Sequence, residues 1–203
     1  MEAVGRQAAP VTLARDRAIV VSGELGNVVP GAALQRGVTL TVAGMVGAGA
    51  TSLAFELAAA VTATGEWAAA VDLDGTLGGE AAAAAGVALE RFAVVRRVST
   101  DRWTTVVAAL LEGATLVMAE VPRHVRVGDA RRLVARARER GSILVALETG
   151  ARWPVDAVLR LHATGGAWHG LAPGAGLLTN CARSVRVEGQ GKAAQTRVVA
   201  LAG

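Results

Sequence analysis

Two hydrophobic rhythms alternate along this chain. Short apolar runs read as strands, and longer stretches with apolar residues every three or four positions read as helices. Val38-Thr39-Leu40-Thr41-Val42 sets apolar side chains against hydroxyls, the pattern of a strand. Ser52 to Val61 then places Leu53, Leu57, Ala60 and Val61 on one helical face, and Gly65 ends it. Ala68 to Asp72 is short and wholly apolar up to its last residue, as a buried parallel strand should be. The same alternation continues through a helix at Gly79–Ala85, a strand at Phe92–Val95 and a helical stripe of Trp103, Val106, Val107, Leu110 and Leu111. A strand at Thr115–Val121, an amphipathic helix at Asp129–Arg140 and a strand at Ser142–Leu147 complete it. This rhythm predicts an α/β fold, a mostly parallel sheet with helices on both faces.

The two ends depart from the rhythm. Residues 1–18 are weakly patterned and read as a loose arm, leaving 19–203 as the domain. Ile19-Val20-Val21 suggests a short strand, and residues 22–37, rich in glycine, read as a loop. After Gly150, Ala157–His162 reads as a strand and the glycine-rich stretch 165–176 as a loop. Ser184–Glu188 and Thr196–Leu201 read as an antiparallel pair joined by Gly189-Gln190-Gly191-Lys192.

Between the first core strand and its helix lies Gly44-Met45-Val46-Gly47-Ala48-Gly49-Ala50-Thr51. Gly44, Gly49 and Thr51 fit the phosphate-loop spacing, in which lysine precedes the hydroxyl residue. Ala50 stands in the lysine's place. Backbone N–H groups and a helix N-terminus still favour an anion there, so weak nucleotide binding stays open. Losing the charge that meets the β- and γ-phosphates costs about 3 kcal/mol of transition-state stabilisation, roughly a hundredfold in rate. The loop is therefore expected to bind no cofactor strongly and to hydrolyse nothing.

Composition narrows the setting. The single cysteine, Cys181, cannot form an internal disulfide, and the first residues lack a signal-peptide pattern. No apolar run approaches the roughly 18 residues of a membrane span. A cytoplasmic protein with no membrane partner is expected. The net charge of +4 permits contact with nucleic acid without requiring it. Lys192 is the only lysine, so no lysine can replace the missing one unless Lys192 reaches the loop from the far end of the chain. The three histidines show no chelating spacing, so no metal site is expected.

These residues together resemble the core of RecA-type recombinases. The likeness runs from Arg36-Gly37 through the glycine loop, Val71-Asp72-Leu73-Asp74, the passage Ala84–Phe92, Leu116–Glu120 and the closing strands Val158–Leu161 and Ser184–Glu188. Short length and the absent lysine look most like the RecA-like accessory proteins of the ImuA type, in particular the actinobacterial ImuA′ form. That resemblance implies a part in damage-induced (SOS) mutagenesis and translesion DNA synthesis. The implied partners are an ImuB-like polymerase-fold protein and, through it, an error-prone DnaE-type polymerase, with DNA and further copies of the chain as additional contacts. It also aligns Asp74 with a water-activating glutamate, Glu120 with a magnesium-associated aspartate, and 165–176 with a DNA-contacting loop. A weak ATP-binding or ATPase module and a cell-division inhibitor of the SulA type remain open alternatives.

Candidate nucleotide contacts are thus Gly44, Gly47, Gly49, Thr51, Asp74 and Glu120, all in a degenerate site with no catalytic residue. For the acids, the competing role is to end a strand, with Glu120 paired to Arg123. Candidate partner or DNA contacts are Arg131, Arg132, Arg136, Arg138 and Arg140 on the outer faces of one helix. Trp153 and Trp168 lie in loop-like segments, where tryptophans often anchor partners or else cover the sheet. Trp103 is expected to pack inward.

Overall fold

The computed structural model describes residues 18–172, 175–189 and 197–201. The chain enters through β1 (Ala18–Val20), α1 (Gly23–Val28), a 3-10 turn at Pro30–Ala32 and β2 (Ala33–Gln35). The main sheet comprises β3 (Thr39–Gly44), β4 (Ala68–Asp72), β5 (Phe92–Arg96), β6 (Leu116–Glu120), β7 (Ile143–Glu148), β8 (Leu159–Ala172), β9 (Ala175–Gly189) and β10 (Arg197–Leu201). Its spatial order is β10-β9-β8-β3-β7-β6-β4-β5. Neighbours from β8 to β5 run parallel, whereas β8–β9 and β9–β10 are antiparallel. Helices α2 (Ala50–Thr62), α3 (Gly79–Ala84), α4 (Thr100–Gly113) and α5 (Val127–Arg140) lie in the crossovers. The architecture is the expected α/β sheet, mostly parallel with antiparallel C-terminal strands, and is consistent with a RecA-like domain.

Side chains on successive strand positions go to opposite faces, and this divides the interior into two cores. Leu40 and Val42 of β3, Ala68 and Ala70 of β4, Leu116 and Met118 of β6, and Ile143 and Val145 of β7 join α1 and α2 on the first face. Ala69, Val71, Val117, Ala119, Leu144 and Ala146, their immediate neighbours in sequence, join α4 and α5 on the second. On α2, buried Leu53, Leu57 and Val61 follow the helical period. Burying each such side chain contributes about 1.5–3 kcal/mol. On the other face, Trp103 of α4 meets Trp153 with ring centroids 6.5 Å apart, beside Leu133 and Ala137 of α5.

The structure corrects several expectations. Residues 22–37 are not one loop. Leu25 and Val28, spaced one helical turn apart, are buried and anchor α1, and Leu34 of β2 pairs with Ile19 of β1. The glycines and Pro30 hid these short elements in the sequence. The stretch 165–176 is not a loop either: β8 and β9 continue antiparallel through it, with Ala172 opposite Ala175. Trp168 therefore lies on a strand, and its side chain is outside the described residues, as are those of His169 and Cys181. The arm 1–18 and the connection 189–192 also fall almost wholly outside them. No helix among the described residues is long and apolar enough to cross a membrane.

On the second face α4 packs on β6 and α5 on β7, while on its other half, where no helix lies among the described residues, β8 and β9 turn exposed His162 and Arg186 outward. Arg160, alternating with buried Leu159 and Leu161, belongs to this polar face.

Trp153 is 2% exposed and Trp67 45% exposed. Replacing Trp153 with alanine is expected to destabilise the domain by about 3–5 kcal/mol. Trp67, stacked under Arg91 at 5.5 Å, should cost only about 1 kcal/mol when truncated. Urea unfolding of the two variants checks the contrast.

Candidate functional site

The glycine loop, Asp74, Glu120 and Glu148 share one edge of the sheet, at the carboxyl ends of β3, β4, β6 and β7. This is where open α/β sheets place ligand crevices. The loop turns sharply after Gly44: the Ala48 N–H donates to the Met45 carbonyl at 2.9 Å. Met45 and Val46 stand out at its tip, both highly exposed. Gly49, at the N-cap of α2, has φ +89°, a left-handed conformation that favours glycine.

Two close approaches explain the loop's small residues. A Cβ on Gly44 would lie 3.0 Å from the Ala163 carbonyl and 3.2 Å from the Ala50 Cβ. Ala50 itself is 8% exposed, so its methyl is packed into the first core. A Cβ on Gly49 would lie 2.9 Å from Cδ of Arg183. Arg183, on β9, runs across the loop and pairs with Glu56 of α2 at 2.5 Å. The cation that lies against Gly49 is thus already paired with a carboxylate. Thr51 is half-buried on the first turn of α2 and donates no hydrogen bond to another described residue.

The acids at this edge serve the backbone. Asp72 is fully buried and accepts from the Thr76 and Leu77 N–H groups at 3.0 and 3.2 Å and from Arg96 Nε at 3.0 Å. Glu120 is 3% exposed. Its Oε2 accepts from the Leu73 N–H at 2.6 Å and the Asp74 N–H at 3.4 Å. The expected alternative pairing of Glu120 with Arg123 does not form; backbone donors of the β4 turn take the carboxylate instead. Burial pushes the Glu120 carboxyl above its ordinary range, and the charges of Asp72 and Asp74 add to this, against the lowering effect of the two N–H bonds. Asp74 is exposed. Glu148 escaped the sequence reading. It accepts from the Trp153 N–H at 3.0 Å and lies 3.8 Å from Arg160. Its signal was an acid at a strand end, matching Asp72 and Glu120. No group of three or more potential metal-ligating side chains occurs among the described residues.

The arginines of α5 are all exposed but differ in engagement. Arg132 pairs with Asp129, and Arg136 and Arg140 both reach Glu112 of α4, Arg140 at 2.9 Å. Among the described residues, Arg131 and Arg138 have no partner. Trp153 is not a surface anchor: it is buried against Trp103 because the segment after β7 folds back over the second core.

A family model, the MT3502 N-terminal domain, matches residues 27–155, well over half of the chain. The chain belongs to the MT3502 N-terminal domain family. No curated protein matches it. The part matched to the MT3502 N-terminal domain includes the glycine loop, Asp72, Asp74, Glu120, Glu148 and all of α5. It ends before β8, so Arg183 and the antiparallel strands lie beyond it.

Two outcomes test this geometry. Gly49→Ala should lower the melting temperature more than Gly47→Ala. Both glycines have positive φ, but a Cβ at Gly47 meets nothing within 4 Å. Adding Arg183→Ala to Gly49→Ala should remove part of the excess. For Glu120, a raised carboxyl pKa means that the folded state binds the proton more tightly. Its contribution to stability therefore falls as pH rises from the ordinary value of about 4.3 through the raised one. Urea midpoints of Glu120→Gln relative to wild type should shift in the variant's favour over that rise.

Proposed function

We propose that this chain is a non-catalytic RecA-like adaptor of the ImuA type in damage-induced translesion DNA synthesis. In this reading it binds an ImuB-like protein, and through it an error-prone DnaE-type polymerase, and works by presenting surfaces rather than by turning over nucleotide. The observation that carries the non-catalytic half is Ala50: an uncharged side chain, packed into the core, where a phosphate-gripping lysine would stand. Three features support it. Arg183 is held by Glu56, Glu120 is held by the β4 backbone, and the loop tip exposes Met45 and Val46 in place of polar groups. The adaptor half is motivated by the resemblance of the ordered motifs. DNA contact and self-association belong to the same proposal, with Arg138 of α5 unpaired among the described residues.

The test has two arms. Purified protein in millimolar Mg-ATP should show no thermal stabilisation, whereas a Kd of about 10 μM would add about 2.7 kcal/mol at 1 mM ligand. Co-expression with an ImuB-like protein should yield a complex that survives purification. Robust ATP turnover by the wild-type chain would overturn the non-catalytic reading. Copurification with a tubulin-like division protein, and not with the ImuB-like one, would replace the adaptor with a division inhibitor.

A further inference from the structure

A cavity of about 640 Å³ opens between α5, the segment after β7 and β8. Its wall includes Arg131 and Val134 of α5, Arg152, Trp153 and Val155 of the segment, and Arg160 of β8. It adjoins a second hollow of about 420 Å³ over the helix-free half of the sheet, with Arg152 and Arg160 lining both. Three arginines thus face one lining acid, Asp156, in the larger cavity. Arg160 is committed: it donates to the Val155 carbonyl at 3.1 Å and lies 3.8 Å from Glu148. Arg131 and Arg152 are exposed and have no partner among the described residues. Val134 and Val155 are only partly buried against the second core, leaving apolar surface between the two free cations. The Trp153 indole N–H, in the same wall, has no acceptor.

We propose that this cavity docks an acidic peptide segment of a partner protein, one that sets an apolar side chain between carboxylates. The assignment rests on the adaptor role above and gives it a place on the molecule. Arginine's planar fork matches a carboxylate in two parallel hydrogen bonds, and the valines supply a small desolvated contact between them. Nucleic acid fits less well. Binding of single strands relies on bases stacked on accessible aromatic rings. The aromatic residue of this wall, Trp153, is 2% exposed, and the chain has no tyrosine.

The experiment titrates the purified full chain with short synthetic peptides carrying glutamates on both sides of one leucine or phenylalanine, and separately with oligothymidine. The tryptophan indole N–H signals are followed by NMR, and Trp153 is assigned through Trp153→Phe. The peptides should move the Trp153 signal, with an affinity that falls as salt rises. Arg131→Glu with Arg152→Glu should weaken binding about tenfold or more at unchanged melting temperature. The same charge change at Arg97 and Arg102, outside the cavity, should not. An unmoved Trp153 signal, equal loss in both double variants, or tighter binding of oligothymidine would overturn the proposal. If peptides bind here while no ImuB-like protein is captured, the adaptor role fails and the cavity assignment stands. If capture succeeds and is indifferent to Arg131 and Arg152, the reverse holds.

Discussion

A parallel sheet has no polar face of its own to offer water, so each covered strand must feed two apolar layers at once. In this molecule β4, β6 and β7 meet that demand with alanine, valine, leucine and methionine at every central position. Small residues on β4 keep the layers thin, and the bulk comes from α2 on one side and from the Trp103–Trp153 pair on the other. The constraint ends where the strands end. There the backbone donors need partners, and the acids Asp72, Glu120 and Glu148 supply them. Carboxylates at a sheet's carboxyl edge look like a catalytic constellation, but all three are occupied with holding the segments that follow their own or a neighbouring strand.

The glycine loop shows the same economy. Its glycines have steric reasons independent of any ligand: Gly44 is pressed by Ala163 and Ala50, and Gly49 by the stem of Arg183. A strand-to-helix turn in a tightly packed α/β domain can therefore hold this spacing without the charged residue. Retained spacing by itself is weak evidence for retained chemistry. The side chains lying over the loop are the more informative observation, and these are an arginine already paired to Glu56 and a buried methyl.

Much of this was legible from the chain alone, for identifiable reasons. The strand at Ala68–Asp72 was readable to the residue because both of its faces are buried and Asp72 marks its end. The helix at Asp129–Arg140 was readable because its polar face is dense in arginine; the true start, at Val127, lies outside the apolar stripe. α1 and β2 were not readable, since elements of six and three residues cannot show a period. The β8–β9 ribbon was readable only at its outer ends, within Ala157–His162 and Ser184–Glu188, because the glycines between them suggest a loop and cross-strand pairing between distant residues leaves no local trace. Whether Trp153 anchors a partner or covers the sheet is left open by the sequence for a related reason. Sequence shows that it precedes Pro154 but not that the segment returns to α4. Arg183 over Gly49 joins residues far apart in the chain, and no spacing rule reports such a contact.

The uncovered half of the second face follows from topology. After β7 the chain crosses to β8 without a helix, then returns as β9 and β10. With no apolar layer to meet, the outward positions of β8 and β9 are free to be polar, and His162 and Arg186 alternate with buried Leu161 and Val187. The segment that replaces the missing helix plugs the second core with Trp153 and leaves Arg152 at the surface, across from Arg131 of α5. At the glycine-loop edge Arg183 and Glu120 are engaged within the domain, and the unpaired Arg131 and Arg152 lie on a different surface. That separation suits the proposed adaptor role, and the surface it leaves uncovered is a consequence of the crossover from β7 to β8, which has no helix.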